Sequence, residues 1–214
     1  MTHPGAKCSR GRPVRAAPPG PMKSIGLLLA AAFAATGVHA QGANEDSLRK
    51  ALADTPVNAF RHIGNHLVCK QDTPAQNYLA CLRIGPMRVG DSYGPVRDRV
   101  PAPVKEVALD GGVIAAVHPI IIAPEARAYW IIGHRDGRIV SVQLTGNFPR
   151  PDLAFSTIQL GDSEEKVLAV LGPRASIREV REIGGLLWDY RPFPISIEFV
   201  NGQVYSIRVA EPAP

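Results

Sequence analysis

The sequence predicts an α+β fold of two tandem small repeats, each with a short helix or helices plus antiparallel strands, behind an N-terminal helical appendage. Two observations predict it. The segments 89–92 (Val-Gly-Asp-Ser) and 160–163 (Leu-Gly-Asp-Ser) are similar, and each opens a short apolar run that stops at a proline. Each run leads through β-rich sequence to a hairpin, about Asp136-Gly137 in the first half and Asn201-Gly202 in the second. We therefore expect one repeat over residues 86–146 and another over 147–214.

Residues 1–40 have the layout of a leader and secretory signal peptide. Lys23 precedes an apolar run from Ile25 to Ala35, and the small residues that follow predict cleavage after Ala40. The run is shorter than the roughly 18 apolar residues typical of a membrane-spanning helix. We therefore expect a periplasmic or secreted protein without a membrane span. Met22 lies just before Lys23, so the start is either Met22 or Met1.

The net charge of +5 comes entirely from this leader. Five of the 24 basic residues and none of the 19 acidic residues lie in residues 1–40, which leaves 19 basic against 19 acidic residues. A neutral mature chain lacks the excess positive charge typical of nucleic-acid binding. We expect no nucleic-acid partner.

Residues 41–85 are predicted to be a helical segment with a disulfide. Asp46 or Ser47 can cap a first helix at residues 48–53, and Thr55 can cap a second with Pro56 at its first position. Cys69 and Cys81 remain once the leader is removed. An even pair in an oxidising compartment favours a disulfide between them.

Metal binding is the alternative for the same segment. His62, His66 and Cys69 are spaced i, i+4 and i+7, which places them on one side of a helix, and Cys81 could supply a fourth ligand. The opposite side of that helix is apolar, so the histidines also occupy positions where an amphipathic helix meets water. The sequence favours the disulfide and keeps the metal site as the alternative.

Each repeat is expected to begin with a capped helix and to continue in strands. Gly90 and Gly161 permit a tight turn, and Ser92 and Ser163 can cap the helices that follow. Alternating apolar and β-branched residues predict eight strands. They are Val104–Leu109, Val113–Val117, Ala128–Gly133, Arg138–Thr145, Ser176–Ile183, Leu186–Arg191, Ile195–Val200 and Gln203–Ala210.

The second half carries a family resemblance. Its motifs are Leu160-Gly161-Asp162-Ser163, Val167, Leu171-Gly172-Pro173, Trp188-Asp189-Tyr190, Ile197-Glu198-Phe199, Asn201-Gly202-Gln203-Val204 and Ile207. This half resembles the small α+β repeat of the BamE/SmpA/OmlA outer-membrane lipoproteins, which in tandem builds the β-lactamase inhibitory protein fold; the first half resembles it loosely. The resemblance implies a protein that binds other proteins with its sheet and loops and has no catalytic residues. Residues 38–41 contain no lipobox cysteine, so no lipid anchor is expected.

Aromatic residues are the candidate binding positions, because Tyr and Trp dominate interface hot spots. They are Tyr129, Trp130, Trp188 and Tyr190. Alternation along a strand turns one member of the Tyr129/Trp130 pair into the core, and the size of Trp188 favours core packing for it as well.

No catalytic signature accompanies these residues. His134-Arg135-Asp136-Gly137 resembles a kinase catalytic-loop triplet but lacks the glycine-rich loop and the other kinase motifs. We therefore expect no enzyme and no cofactor. The sequence predicts an exported, non-catalytic protein-binding module of the bacterial cell envelope whose partner is another envelope or extracellular protein. The alternative is a periplasmic metal- or small-ligand-binding protein that uses the His62/His66 face.

Overall fold

One continuous antiparallel sheet organises the computed structural model, which describes residues 49–50, 52–71 and 78–212. These residues all belong to one compact unit, Gln41–Pro214. The leader and the predicted caps at Asp46 and Ser47 lie outside the described residues. The elements are β1 (Ala59–Ile63), β2 (His66–Lys70), β3 (Arg83–Ile84), β4 (Met87–Arg88), α1 (Tyr93–Arg97), β5 (Lys105–Ala108), β6 (Ile114–Ile122), β7 (Arg127–Arg135), β8 (Arg138–Gly146), α2 (Glu164–Leu171), β9 (Ser176–Val180), β10 (Gly185–Asp189), β11 (Ile195–Val200) and β12 (Gln203–Ala210).

The main sheet has eight strands in the order β5-β6-β7-β8-β12-β11-β10-β9. Each half of the chain contributes a meander of four sequential strands, and the two meanders meet where β8 pairs with β12. The turns within the meanders follow the predicted chemistry: Asp136 and Gly137 have φ of 51° and 74°, and Asn201 and Gly202 have 52° and 74°. Positive φ at both central residues is what a two-residue hairpin turn requires. Both predicted hairpins and all eight predicted strands are therefore found, with ends shifted by a few residues.

The predicted α+β class is wrong, and so is the assignment to BamE/SmpA/OmlA-like repeats. From Ala59 to Ala210 the described residues form two α-helices, of five and eight residues, beside a sheet of eight strands. Helix α1 stays short because Gly94 and Pro95 lie inside it, and both residues disfavour helix. The protein is β-rich, built on one large antiparallel sheet. Among the described residues, none of the helices has the length and the apolar sequence of a membrane span.

The two predicted helix caps differ in outcome. The Ser163 hydroxyl accepts a hydrogen bond from the Lys166 backbone N–H at 3.4 Å, and so caps α2 as expected. Ser92 precedes α1 but makes no side-chain capping bond. The predicted Ser92 cap is therefore wrong: Pro95 occupies the third position of α1, the place that Lys166 has in α2, and proline has no backbone N–H to donate.

The predicted second helix of the N-terminal segment is also wrong. Residues 49–50 and 52–53 are helical, as expected, but the chain then forms the hairpin β1–β2, whose register runs from Ala59↔Lys70 to Ile63↔His66. Gly64 provides the positive φ of 59° that the turn needs. Phe60 faces inward from this hairpin and contacts the rings of Tyr78, Phe155 and Phe193 at centroid distances of 6.2, 6.0 and 5.3 Å. The hairpin is thus part of the core.

The core lies between one face of the sheet and the segments packed on it. Alternation along β11 buries Ile195, Ile197 and Phe199, as the sequence predicts. Both helices contribute to the same cluster, through Tyr93 of α1 and through Val167, Val170 and Leu171 of α2. Both helices therefore pack on the same face of the sheet.

A disulfide joins Cys69 to Cys81, with a Cα–Cα distance of 5.9 Å. The predicted pairing is confirmed. The bond fastens β2 to the 3₁₀ turn Tyr78–Cys81, whose last residue is fully buried. The bond thereby holds strand β2 against a buried part of the core.

Removal of this disulfide should lower the free energy of unfolding by about 2 to 4 kcal/mol, because the cross-link restricts the unfolded chain over a loop of this length. The measurement is urea unfolding of the wild type with and without reductant, and of the double variant Cys69→Ser/Cys81→Ser. The wild type should lose stability on reduction, while the double variant should not respond. An unchanged wild-type midpoint in reductant would contradict this prediction.

Candidate binding face

The second face of the sheet, here called the open face, points away from both helices. Cross-strand neighbours share a face, so the register defines its rows. One row crosses all eight strands through Lys105, Val117, Ile131, Gln143, Arg208, Ser196, Asp189 and Ser176. The next row runs through Pro119, Tyr129, Thr145, Ser206, Glu198, Leu187 and Arg178.

The two halves of the open face differ in character. The first half carries half-buried apolar and aromatic side chains, with Tyr129, Ile131 and Val117 as neighbours on β6 and β7. The second half is polar. There the Gln143 side-chain amide donates a hydrogen bond to the Ser206 hydroxyl at 2.8 Å, across the β8–β12 junction. The face therefore offers an apolar surface beside a polar one.

Glu198 lies at the centre of the polar half. Burial raises the pKa of its carboxyl, while a hydrogen bond with Ser206 and the positive charges of Arg178 and Arg208 oppose that shift. Asp189 lies on the same half, so two carboxyls stand beside two guanidinium groups and their charges balance. Such an arrangement favours partners with a matching charge pattern.

The four predicted aromatic binding residues do not lie together. Tyr129 is half-buried on the open face. Trp130, Trp188 and Tyr190 are 3%, 1% and 3% exposed and belong to the core cluster. Burial raises the pKa of the Tyr190 hydroxyl far above its usual range, although the nearby Arg174 opposes the shift. Of the four, Tyr129 is therefore the residue that can contact a partner.

His62 and His66 lie on a β-hairpin and not on the predicted helix. Both residues belong to the β1–β2 hairpin, with His66 exposed beside the turn and His62 half-buried. In the described residues, no three His, Cys, Asp or Glu side chains are grouped so that they could hold a metal ion. Cys69 and Cys81 are bonded to each other, so neither offers a free thiolate ligand.

His62 instead packs on the end of α2. A Cβ atom at Gly172 would overlap the His62 ring, and Gly172 has a φ of 74°. The ring therefore occupies the space that only a glycine leaves free.

The substitution Gly172→Ala should destabilise the protein by about 1 to 3 kcal/mol, because the new methyl group overlaps the His62 ring and the positive φ disfavours alanine. The check is urea unfolding of both single variants and of His62→Ala/Gly172→Ala. The double variant should be more stable than the sum of the two single effects, since the clash disappears. Strict additivity would contradict the packing role of His62.

A buried histidine–tyrosine cluster lies beneath α1, and sequence reasoning did not find it. The fully buried His118 of β6 bonds Tyr93 Oη through Nε2 at 2.9 Å and the Pro101 carbonyl through Nδ1 at 2.7 Å. A carbonyl only accepts, so Nδ1 carries the proton and Nε2 accepts from the tyrosine hydroxyl. The His134 ring stacks on Tyr93 at a centroid distance of 4.0 Å. The cluster fastens α1 to the sheet. Its members are 25 residues apart (Tyr93 to His118) and 16 residues apart (His118 to His134), so they form no local sequence motif.

Stability should rise with pH because of His134. Burial lowers the pKa of its imidazole. The charge of Glu106 opposes this shift, and His118 adds to it. The folded state therefore disfavours the protonated ring. The stability that neutral His134 contributes is fully present above the unfolded pKa near 6.5 and is lost as the pH falls below it. Free energies of unfolding measured at pH 5 and pH 7.5 should differ less in His134→Gln than in the wild type. An equal difference in the two proteins would show that His134 is not responsible.

Comparisons with known proteins give little further information. No protein-family model matches the chain, and no curated protein matches it. One similar solved structure is a cysteine-rich secretory protein from Staphylococcus aureus subsp. aureus Mu50, with 15% sequence identity and a TM-score of 0.38. The match covers 59% of this chain and 47% of that protein, so this chain spans about half its length. A likeness this weak assigns neither fold nor function, whereas the disulfide itself fits an exported protein.

Proposed function

We propose that this chain is an exported, non-catalytic protein-binding module of the bacterial cell envelope, and that the open face of its sheet is the binding surface. The observation that carries the proposal is the row of half-buried apolar side chains around Tyr129 on a face that both helices leave uncovered. A tyrosine flanked by Val117 and Ile131 is the kind of anchor that dominates protein interfaces.

The size of the face supports a protein partner. Eight strands spaced by about 4.8 Å give a width of about 34 Å. A standard interface buries about 800 Å² on each partner, which fits a face of this width. The apolar half supplies surface to bury, and the polar half supplies charges that orient the partner.

The leader and the disulfide together support the proposed location. The signal-like sequence before Gln41 directs export, and a disulfide persists in the periplasm or outside the cell. The partner is therefore another envelope or secreted protein. The metal- or small-ligand alternative has less support, because His62 packs against Gly172 and both cysteines are bonded.

Substitutions on the open face should separate binding from folding. Immobilised mature protein is used to capture partners from an envelope fraction, and the affinity of the captured protein is then measured for each variant. Tyr129→Ala should weaken binding by about tenfold or more, since an anchor residue contributes roughly 1 to 2 kcal/mol. Ile131→Ala should weaken it as well.

The matched control is Ile177→Ala. Ile177 is 48% exposed on the edge strand β9, but it pairs with the core residue Trp188 and so faces away from the open face. Its replacement should leave capture unchanged. Equal capture by the wild type, Tyr129→Ala and Ile131→Ala would contradict the proposed surface.

A further inference from the structure

The loops at the start of β1 and before α2 line an open cleft of about 820 Å³, here called the loop cleft. Its walls include Asn58, Arg83, Asp152, Ser156, Gln159 and Lys166. None of these residues belongs to the open face. The volume lies within the range of clefts that hold small molecules or short peptides.

Two non-glycine residues of one turn at the loop cleft have unfavourable positive φ angles. Phe155 and Ile158 exchange both backbone hydrogen bonds at 2.8 Å, which makes Ser156 and Thr157 the centre of a two-residue turn with φ of 48° and 78°. Such turns favour Asn-Gly, and a β-branched threonine at positive φ is disfavoured. The Ser156 hydroxyl accepts a hydrogen bond from the Phe60 N–H at 2.7 Å, which ties the turn to β1. Strain held in place by surrounding contacts is typical of ligand-binding sites.

Two unpartnered amide oxygens supply an independent indication. Asn58 Oδ1 and Gln159 Oε1 are buried and make no hydrogen bond within the described part of the chain. Buried polar atoms in native proteins are nearly always paired. Both side chains line the same cleft, although they come from different loops. The terminal torsion of an amide rotates at low energy, so each oxygen can turn toward a bound group.

Of the charged side chains that line the cleft, Asp152 and Lys166 are in ion pairs, while Arg83 bonds a neutral carbonyl. Arg83 donates two hydrogen bonds to the Gly85 carbonyl, at 3.0 and 2.7 Å. Asp152 pairs with Arg150 at 2.6 Å, and Lys166 pairs with Asp162 at 2.8 Å. Arg83 keeps its positive charge and further N–H donors, so the cleft favours a ligand without a cationic group, whose N–H groups can meet the two amide oxygens and whose carbonyl oxygens can meet Arg83.

We infer that the loop cleft binds an extended polypeptide segment, with Asn58 and Gln159 accepting hydrogen bonds from the segment's backbone N–H groups. A peptide backbone carries no charge and presents N–H donors and carbonyl acceptors at regular spacing, which matches the two amide oxygens and the Arg83 guanidinium that line the same cleft. Main-chain hydrogen bonds of this kind give affinity without requiring one side-chain sequence. This second site is independent of the open face.

The probe is a phage-displayed library of random 12-residue peptides, selected on the immobilised wild-type mature protein. Affinities of the enriched peptides are then measured by calorimetry. Asn58→Gly removes the amide and keeps the positive φ, and Gln159→Leu removes the other amide at similar volume. Each should weaken peptide binding by about tenfold, the usual loss for one or two buried hydrogen bonds.

Matched controls exist for both substitutions. Asn201→Gly makes the same change at another positive φ, in the β11–β12 turn, and Gln203→Leu makes the same change at an exposed position. Neither residue lines the loop cleft, so both controls should bind the peptides as the wild type does. Tyr129→Ala should also leave peptide binding unchanged, which keeps this test separate from that of the open face.

A second measurement alters the peptide and compares its binding to the wild type and to Asn58→Gly. N-methylation of single backbone nitrogens in an enriched peptide should weaken binding at two or more positions, and at one of them the loss should vanish in Asn58→Gly. The inference is overturned if no peptide is enriched, as when ordered water alone satisfies the two oxygens. It is also overturned if enriched peptides bind Asn58→Gly and Gln159→Leu as tightly as the wild type, or if they depend on Tyr129.

Discussion

The pairing of β8 with β12 is the contact on which the rest of the structure depends. Five residue pairs, from Ser206↔Thr145 to Ala210↔Ser141, turn two four-stranded meanders into one sheet. On the inner face this register places Val142 beside Val209 and Leu144 beside Ile207, all of them buried. On the outer face the same register continues the two rows of the open face across the junction. A slip of one residue would exchange the two faces, so core and binding face are specified together.

The two halves complete their cores by different means. In the first half, Tyr93 of α1 reaches the fully buried His118 of β6, so a hydrogen bond helps to close the core. In the second half, the β1–β2 hairpin supplies Phe60, which joins Phe155 and Phe193 in an aromatic cluster. The segment before the two meanders is therefore a structural part of the second half. The disulfide acts on this element, which is small and needs an additional constraint.

Local chemistry explains why some features could be predicted from the sequence and others could not. Asp136-Gly137 and Asn201-Gly202 determine their hairpins through positive φ, and Ser163 caps α2 through its own hydroxyl. The sequence predicts a helix in place of the β1–β2 hairpin because Phe60, Ile63 and Leu67 are spaced as on a helix, although they lie on two strands. Strand order, the burial of Trp130 and the loop cleft depend on contacts between distant residues. Sequence alternation gives the period of a strand but not which side meets the core.

The different halves of the open face have different physical tasks in the proposed function. The apolar half around Tyr129 can bury surface, which supplies most of the free energy of association. The polar half, where Glu198 lies near Arg178 and Arg208, contributes less net free energy, because each charge loses water on binding. Its balanced charges instead reject partners with a mismatched pattern. Affinity and selectivity are thus assigned to opposite sides of the β8–β12 junction, and the register of that pairing fixes their relative position.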